Sequence, residues 1–267
     1  MSAHLFCWTA GAAAGFVAGI LVLRARGAVT WATVLALGFA WEGLLLGAKW
    51  QFRLEHYPLA DALWVTPREL LQPGVRIPLG LLTGGVLAGL WCLLVRAPWR
   101  ETGDALAVAA CVMMPIGRIG CLLDGCCMGS ACGPWAPFCL RYPPGTDAYL
   151  AQVSTGLLGG SEPLSLPAHP LPLYFAASAL AMLGVLLWLL HRHAAPGALL
   201  AVFLVLEPAT KLLLEPLRAT PRPPLLMVGI PATILVGTLL VLAATRVVRG
   251  RARRPDVAGC GTAGVRA

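Results

Sequence analysis

The sequence predicts an all-α integral membrane protein with about seven transmembrane helices. Three observations carry that expectation. Of 267 residues, 58% are hydrophobic and only 12% are charged, where a soluble domain carries about a quarter. Seven stretches approach the roughly 20 apolar residues a helix needs to cross the hydrocarbon. Basic residues follow alternate stretches consistently, as membrane topology requires. The same hydrophobicity excludes a disordered chain. A net charge of +8 in so apolar a chain serves topology rather than nucleic-acid phosphates, so no nucleic-acid partner is expected.

The stretches run in order as follows. Met1–Leu23 has no Asp, Glu, Lys or Arg. It lacks a basic segment ahead of its apolar run, so a retained helix fits better than a cleaved signal. Ala28–Trp50 is apolar apart from Glu42 and Lys49, and Ile77–Val95 is uncharged. Ala105–Leu123 is broken only by Arg118, and Leu171–Leu190 is uncharged. Ala198–Leu217 carries Glu207, Lys211 and Glu215, and Pro223–Thr245 is uncharged.

Arg24 and Arg26 follow the first span, Arg96 and Arg100 the third, and Arg192 the fifth. Arg246, Arg249, Arg251, Arg253 and Arg254 follow the seventh. Cytoplasmic loops collect such residues, so the N-terminus is expected outside and the C-terminus inside. Residues 1–250 then form the membrane domain. Residues 124–169 form an external loop or small cap, too polar to cross and too short for a core of its own. Residues 251–267 read as a basic, disordered cytoplasmic tail suited to anionic headgroups.

An ionisable residue in mid-span costs on the order of 3 kcal/mol on insertion scales, so it is usually functional or paired. Glu42 and Arg118 are two such residues. Glu207, Lys211 and Glu215 stand at i, i+4 and i+8, along one helix face, with Arg218 near its outer end. One reading is a self-neutralising ladder that holds helices together. The other is a polar cavity for an anionic headgroup or an ion, with Arg118 and Lys211 as phosphate partners. Gly80, Gly84, Gly85 and Gly89 in the third span allow close helix packing; the alternative is that Gly84 and Gly85 let backbone approach a headgroup.

Five of the nine cysteines, Cys121, Cys126, Cys127, Cys132 and Cys139, fall within nineteen residues. Their spacing is neither a zinc-ribbon pair nor a ferredoxin run. A disulfide between Cys132 and Cys139, or one involving Cys126 or Cys127, is permitted on an external face. Cysteines packed as small apolar side chains are the alternative. A nucleophilic Cys121 is a further one, since it lies three residues after Arg118. His169 and Pro170 open the fifth span, with Tyr174 five residues on as a candidate interface anchor.

Gly117-Arg118-Ile119-Gly120-Cys121-Leu122-Leu123-Asp124-Gly125-Cys126-Cys127-Met128-Gly129 resembles the signature of the prolipoprotein diacylglyceryl transferases, in a divergent Gly-Cys-Cys form. His169-Pro170-Leu171-Pro172-Leu173-Tyr174 resembles that family's His-Pro-x-Gln-Leu-Tyr motif. Lys211-Leu212-Leu213-Leu214-Glu215-Pro216-Leu217-Arg218 resembles its Arg-Phe-x-x-Glu-x-x-Arg motif. Thr83-Gly84-Gly85 falls where the family has His-Gly-Gly. The resemblance covers roughly residues 43–222. It implies transfer of the diacylglyceryl group of phosphatidylglycerol to the lipobox cysteine thiol of a prolipoprotein, with glycerol phosphate leaving. It implies a multi-pass protein of the bacterial inner membrane and no metal or other cofactor. Arg118, Lys211, Glu215 and Asp124 are then the expected catalytic residues. Arg118, Lys211, Arg218, Gly84, Gly85, His169 and Tyr174 are the expected substrate and phosphate contacts. A cation there would stabilise a phosphate leaving group.

The departures from the pattern are specific. Thr83 replaces the His before Gly-Gly, Cys121 replaces an Asn, and Cys126 replaces a Glu. Pro172 replaces the Gln of the His-Pro motif, and Lys211 replaces an Arg. With the His absent, Asp124, Glu215 and His169 are the candidate proton acceptors. Two other classes stay open: a paralogue using another acceptor, and a non-enzymatic lipid-binding or transport protein. Loss of turnover in Arg118→Ala marks the transferase. Flux that depends on Glu207 or Glu42, without a thioether product, marks a transporter.

Overall fold

The computed structural model describes residues 3–58, 61, 65–66, 77–133, 138–219 and 228–240. The helices are α1 (Ala3–Ala25), α2 (Trp31–His56), α3 (Ile77–Leu94), α4 (Trp99–Leu123), α5 (Asp147–Ser154), α6 (Leu171–His191) and α7 (Ala198–Leu214). A 3-10 turn over Glu215–Leu217 continues α7, and α8 spans Ile230–Leu240. There is no β-strand among the described residues, only isolated bridges. A helix stands at each of the seven apolar stretches. The ends of the seventh stretch, the tail 251–267 and most of 51–76 lie outside the described residues.

Four helices, α1, α2, α4 and α6, are long and apolar enough to cross a membrane. Large apolar side chains cover their outer faces, with Val17, Leu21 and Trp188 all more than half exposed, as a surface solvated by lipid requires. Two helices run past the expected ends. α2 continues beyond Trp50 to His56, where Arg53 and His56 sit in its last turn and complement the helix dipole. α4 begins at Trp99; the charges of Arg100, Glu101 and Asp104 hide that first turn from an apolar search. α7 ends three residues early, because Pro216 has no N–H to continue the ladder.

Glycine sets the helix pairing. Gly11 and Gly15 of α1 lie against α4, where an added Cβ would sit 2.8 Å from the Met113 oxygen and 2.6 Å from the Ala109 oxygen. Backbones approach this closely only over small residues. α2 and α3 cross the same way, with Gly43 against Gly84 and Gly47 against Gly80. Thr83 locks that crossing by donating its hydroxyl to the Gly43 carbonyl at 2.6 Å. α6 and α7 close the bundle around α4, in a core that includes Leu23, Ala105, Cys111, Leu186 and Leu199.

One buried polar node ties three of these helices. Asp104 of α4 is fully buried. Its carboxylate accepts from Arg26 Nη2 at 2.9 Å, from the Gly197 amide at 3.0 Å and from the Leu200 amide at 3.0 Å. It thereby caps the N-terminus of α7, whose own cap position, Gly197, has no side chain to do so.

The described residues of segment 124–169 fold into a small subdomain with an apolar cluster, where the sequence reading expected it too short for a core of its own. Met128, Tyr142, Ala148 and Ala168 form its apolar cluster. α5 starts on Thr146, whose hydroxyl accepts from the Tyr149 amide. A disulfide joins Cys132 and Cys139. Cys7, Cys92, Cys111, Cys121, Cys126 and Cys127 are not in disulfides.

Candidate functional site

The three sequence motifs meet at one end of the bundle through backbone hydrogen bonds. The Gly129 amide donates to the His169 carbonyl at 2.9 Å, and the His169 amide donates to the Ser130 carbonyl at 3.1 Å. The Ser130 amide donates to the Leu217 carbonyl at 2.7 Å. The tail of the Gly-Arg signature is thus clamped between the His-Pro motif and the Glu-x-x-Arg turn. Gly129 makes the clamp possible, since a Cβ there would lie 2.6 Å from His169 Cβ and 2.9 Å from the Leu217 oxygen.

The charges at this end are unevenly matched. Glu215 Oε1 accepts from Arg218 Nε at 2.9 Å. The Arg218 side chain is only 5% exposed, and its Nη1 is buried with no hydrogen-bond partner among the described residues. A buried donor without an acceptor costs about 1–3 kcal/mol, more when charged. The Arg118 guanidinium lies 4.5 Å from the centre of the Phe175 ring of α6, a cation–π contact. No carboxylate pairs with Arg118 among the described residues. Asp124 caps α4, its amide bonded to the Gly120 carbonyl, and its half-buried carboxylate has no partner among the described residues. His169 Nδ1 is 3.2 Å from the Tyr174 hydroxyl, which donates to the Phe138 carbonyl at 3.4 Å.

The charged ladder of the sixth span divides in two. Lys211 Nζ lies 2.6 Å from Glu207 Oε1, an i,i+4 ion pair. Glu215 turns away to Arg218 instead of pairing back to Lys211, because α7 has passed into the 3-10 turn by then. Glu42 is exposed on the surface of α2 and joins neither group.

A cavity of about 890 Å³ opens inside the bundle. Its walls are mostly apolar, from Phe16, Leu37, Met113, Phe203 and neighbours, with Glu207 and Lys211 on one wall and Arg100 on another. Gly84 and Gly85 both line it. Gly84 is given over to packing, where a Cβ would meet the Ala40 oxygen at 2.4 Å, while Gly85 faces open space. The lining includes Lys211 but none of Arg118, Asp124, His169, Tyr174, Glu215 or Arg218. The expected site residues therefore form two groups: Lys211, Gly84 and Gly85 on the cavity wall, and the others at the end of the bundle. α4 bridges them, since Arg118 lies about three turns along the same helix face from the cavity-lining Ala107.

Hydrogen bonds to the thiols of Cys121 and Cys127, together with burial, push the Cys126 thiol above its ordinary pKa. The sequence reading missed two groups. Arg26 and Asp104 look like ordinary helix-end charges until their packing is known. His4, with Nδ1 3.7 Å from Cys121 Sγ and 4.0 Å from Cys126 Sγ, stands 117 positions away in the chain; no local pattern signals such a contact.

The family model for prolipoprotein diacylglyceryl transferase matches residues 4–248. A protein of Rhodopirellula baltica named phosphatidylglycerol–prolipoprotein diacylglyceryl transferase is 32% identical over 127 residues, 45% of this chain and 25% of that protein. One of the same name from Methylibium petroleiphilum is 31% identical over 170 residues, 61% of this chain and 56% of that protein. The chain thus spans a quarter and somewhat more than half of those two relatives.

Proposed function

The chain belongs to the prolipoprotein diacylglyceryl transferase family, and from that premise we propose that it moves the diacylglyceryl group of phosphatidylglycerol to the lipobox cysteine of a prolipoprotein in the bacterial inner membrane. The observation that carries the reading is the buried, unpartnered Nη1 of Arg218. A lipid phosphate would supply the missing acceptor, and a guanidinium fork suits its oxygens.

In this reading the cavity holds the acyl chains. Its volume lies in the range of ligand pockets, and its apolar walls suit hydrocarbon. Arg118 and Arg218 hold the phosphate at the end of the bundle, and Lys211, paired with Glu207, lines the cavity wall. The acceptor sulfur attacks the glyceryl carbon that carries the phosphate ester. A carbon–sulfur bond forms, the carbon–oxygen bond breaks, and glycerol phosphate leaves with the electron pair. The cations stabilise the charge developing on the leaving oxygen. The thiol proton passes to Asp124 or His169, the acceptors not already committed to an arginine. Glu215 positions Arg218 and is not itself the base.

The test is a transfer assay. The full chain in phosphatidylglycerol-containing detergent is mixed with a lipobox peptide, and the peptide mass is followed. A diacylglyceryl mass gain that Arg118→Ala abolishes supports the reading, and Asp124→Asn against His169→Gln then identifies the proton acceptor. No gain from folded protein overturns it and directs the search to other thiol or hydroxyl acceptors. A gain that survives Arg118→Ala removes that arginine from the phosphate site.

A further inference from the structure

The two substitutions in the Gly-Arg signature, Cys121 and Cys126, are also the two residues that meet in space. α4 ends in a Schellman motif: the Cys126 amide donates to the Cys121 carbonyl at 3.0 Å, and the Gly125 amide to the Leu122 carbonyl at 3.2 Å. Gly125 takes the left-handed conformation this ending needs, at φ 60°. The motif folds the residue at Cys126 back over the one at Cys121, normally an apolar contact. Here it places two thiols together. Cys127 follows, also at positive φ.

His4 completes the group from the other side. Gly120 admits the start of α1 so closely that a Cβ there would lie 2.9 Å from the His4 Cα. His4 Nδ1, Cys121 Sγ and Cys126 Sγ all lie within 4.8 Å of one another. Zinc–sulfur bonds of about 2.3 Å and zinc–nitrogen bonds of about 2.05 Å in a tetrahedron set ligand atoms roughly 3.6–3.8 Å apart. The His4 contacts, at 3.7 and 4.0 Å, need only small adjustment to meet that geometry. The nearby Cys132 and Cys139 are already joined in a disulfide, whereas the clustered sulfurs stand as thiols.

We propose that His4, Cys121 and Cys126 form a structural site for a thiophilic divalent cation, Zn²⁺ or one of its class, that fastens the first helix to the end of the fourth. Cys127, next in the chain but outside that 4.8 Å group, would have to turn its sulfur inward as the fourth donor to complete the three-sulfur, one-nitrogen set that closes structural zinc sites. The ion would set the position of the helix end from which Arg118 projects one turn earlier.

The full chain is purified in detergent with reductant, loaded with Zn²⁺, freed of excess metal, and assayed by elemental analysis. One equivalent of Zn²⁺ per chain is expected. Cys126→Ser and His4→Ala should each weaken retention at least tenfold, and Cys92→Ala, altered elsewhere in the core, should not. Co²⁺ in the unmodified chain should give thiolate charge-transfer and tetrahedral ligand-field absorption, a readout that needs no variant to fold. No retained zinc, retention unchanged in Cys126→Ser, or a disulfide among Cys121, Cys126 and Cys127 in the isolated chain overturns the proposal. Zinc retention is read without lipid or peptide, so its failure is distinct from failure of the transferase reading.

Discussion

Arg218 gives the sharpest test of how the bundle end handles an anion. Its Nε is committed to Glu215, while Nη1 is buried and unmatched. Arg218→Lys keeps the charge and can still reach Glu215, but it loses the second arm of the fork. One charge-assisted hydrogen bond contributes about 1.5–3 kcal/mol. The expected loss in kcat/KM is therefore on the order of tenfold to 150-fold, with thermal stability nearly unchanged. Arg218→Gln removes the charge as well and leaves the half-buried Glu215 without its partner. Losing one preorganised donor to a developing charge costs about 10²–10³ in rate, and stripping one member of a buried ion pair costs about 3–5 kcal/mol of stability. Arg218→Gln should thus fall by at least 10²-fold and melt lower, whereas Arg218→Lys should lose rate alone. The assay is transfer to a lipobox peptide over a range of phosphatidylglycerol concentrations, alongside thermal unfolding in the same detergent. Wild-type kcat/KM in Arg218→Lys would refute the idea that the free guanidinium arm meets the phosphate.

Three further outcomes are expected. Asp104→Ala should lower stability by about 3–5 kcal/mol, because it orphans a buried arginine, and Asp104→Asn by less, because it keeps acceptor geometry; thermal unfolding separates the two. Gly84→Ala should weaken the α2–α3 crossing, since a Cβ would sit 2.4 Å from the Ala40 oxygen, and Gly85→Ala, which faces open space, should not; the ordering of their melting temperatures is the check. Cys132→Ser opens a loop whose ends are seven residues apart, for which loop entropy predicts about 2 kcal/mol; a shift confined to the cap should appear as faster proteolysis between Cys132 and Cys139.

The helices were legible because a membrane span is written in length and hydropathy, and those survive any local irregularity. The meeting of Gly129, His169 and Arg218 was legible only as three motifs in order. Their contact runs through backbone amides, which leave no trace in residue type apart from the glycine that admits them. The Glu207–Lys211–Glu215 periodicity misled at its last step. It assumes a helix that continues through Pro216, and the change to a 3-10 turn hands Glu215 to Arg218. Glu42, read as a mid-span charge, is on the outer surface of α2, because a helical wheel alone does not say which face meets a neighbour. His4 and Asp104 were invisible for a shared reason. Their partners stand 117 and 93 positions away, and only the glycine-mediated approach of α1 to α4, or the docking of α7, brings those partners within reach.

The Asp104 node also imposes an order on assembly. The carboxylate leaves the ribosome 93 residues before the Gly197 amide. At about 5–20 residues per second, that interval is on the order of 5 to 19 s. Throughout it, α4 carries an acidic group whose helix-capping partners do not yet exist, and Arg26, already synthesised, is the counter-charge at hand. A chain interrupted before Gly197 would hold the Asp104 seat for α7 without the helix that fills it.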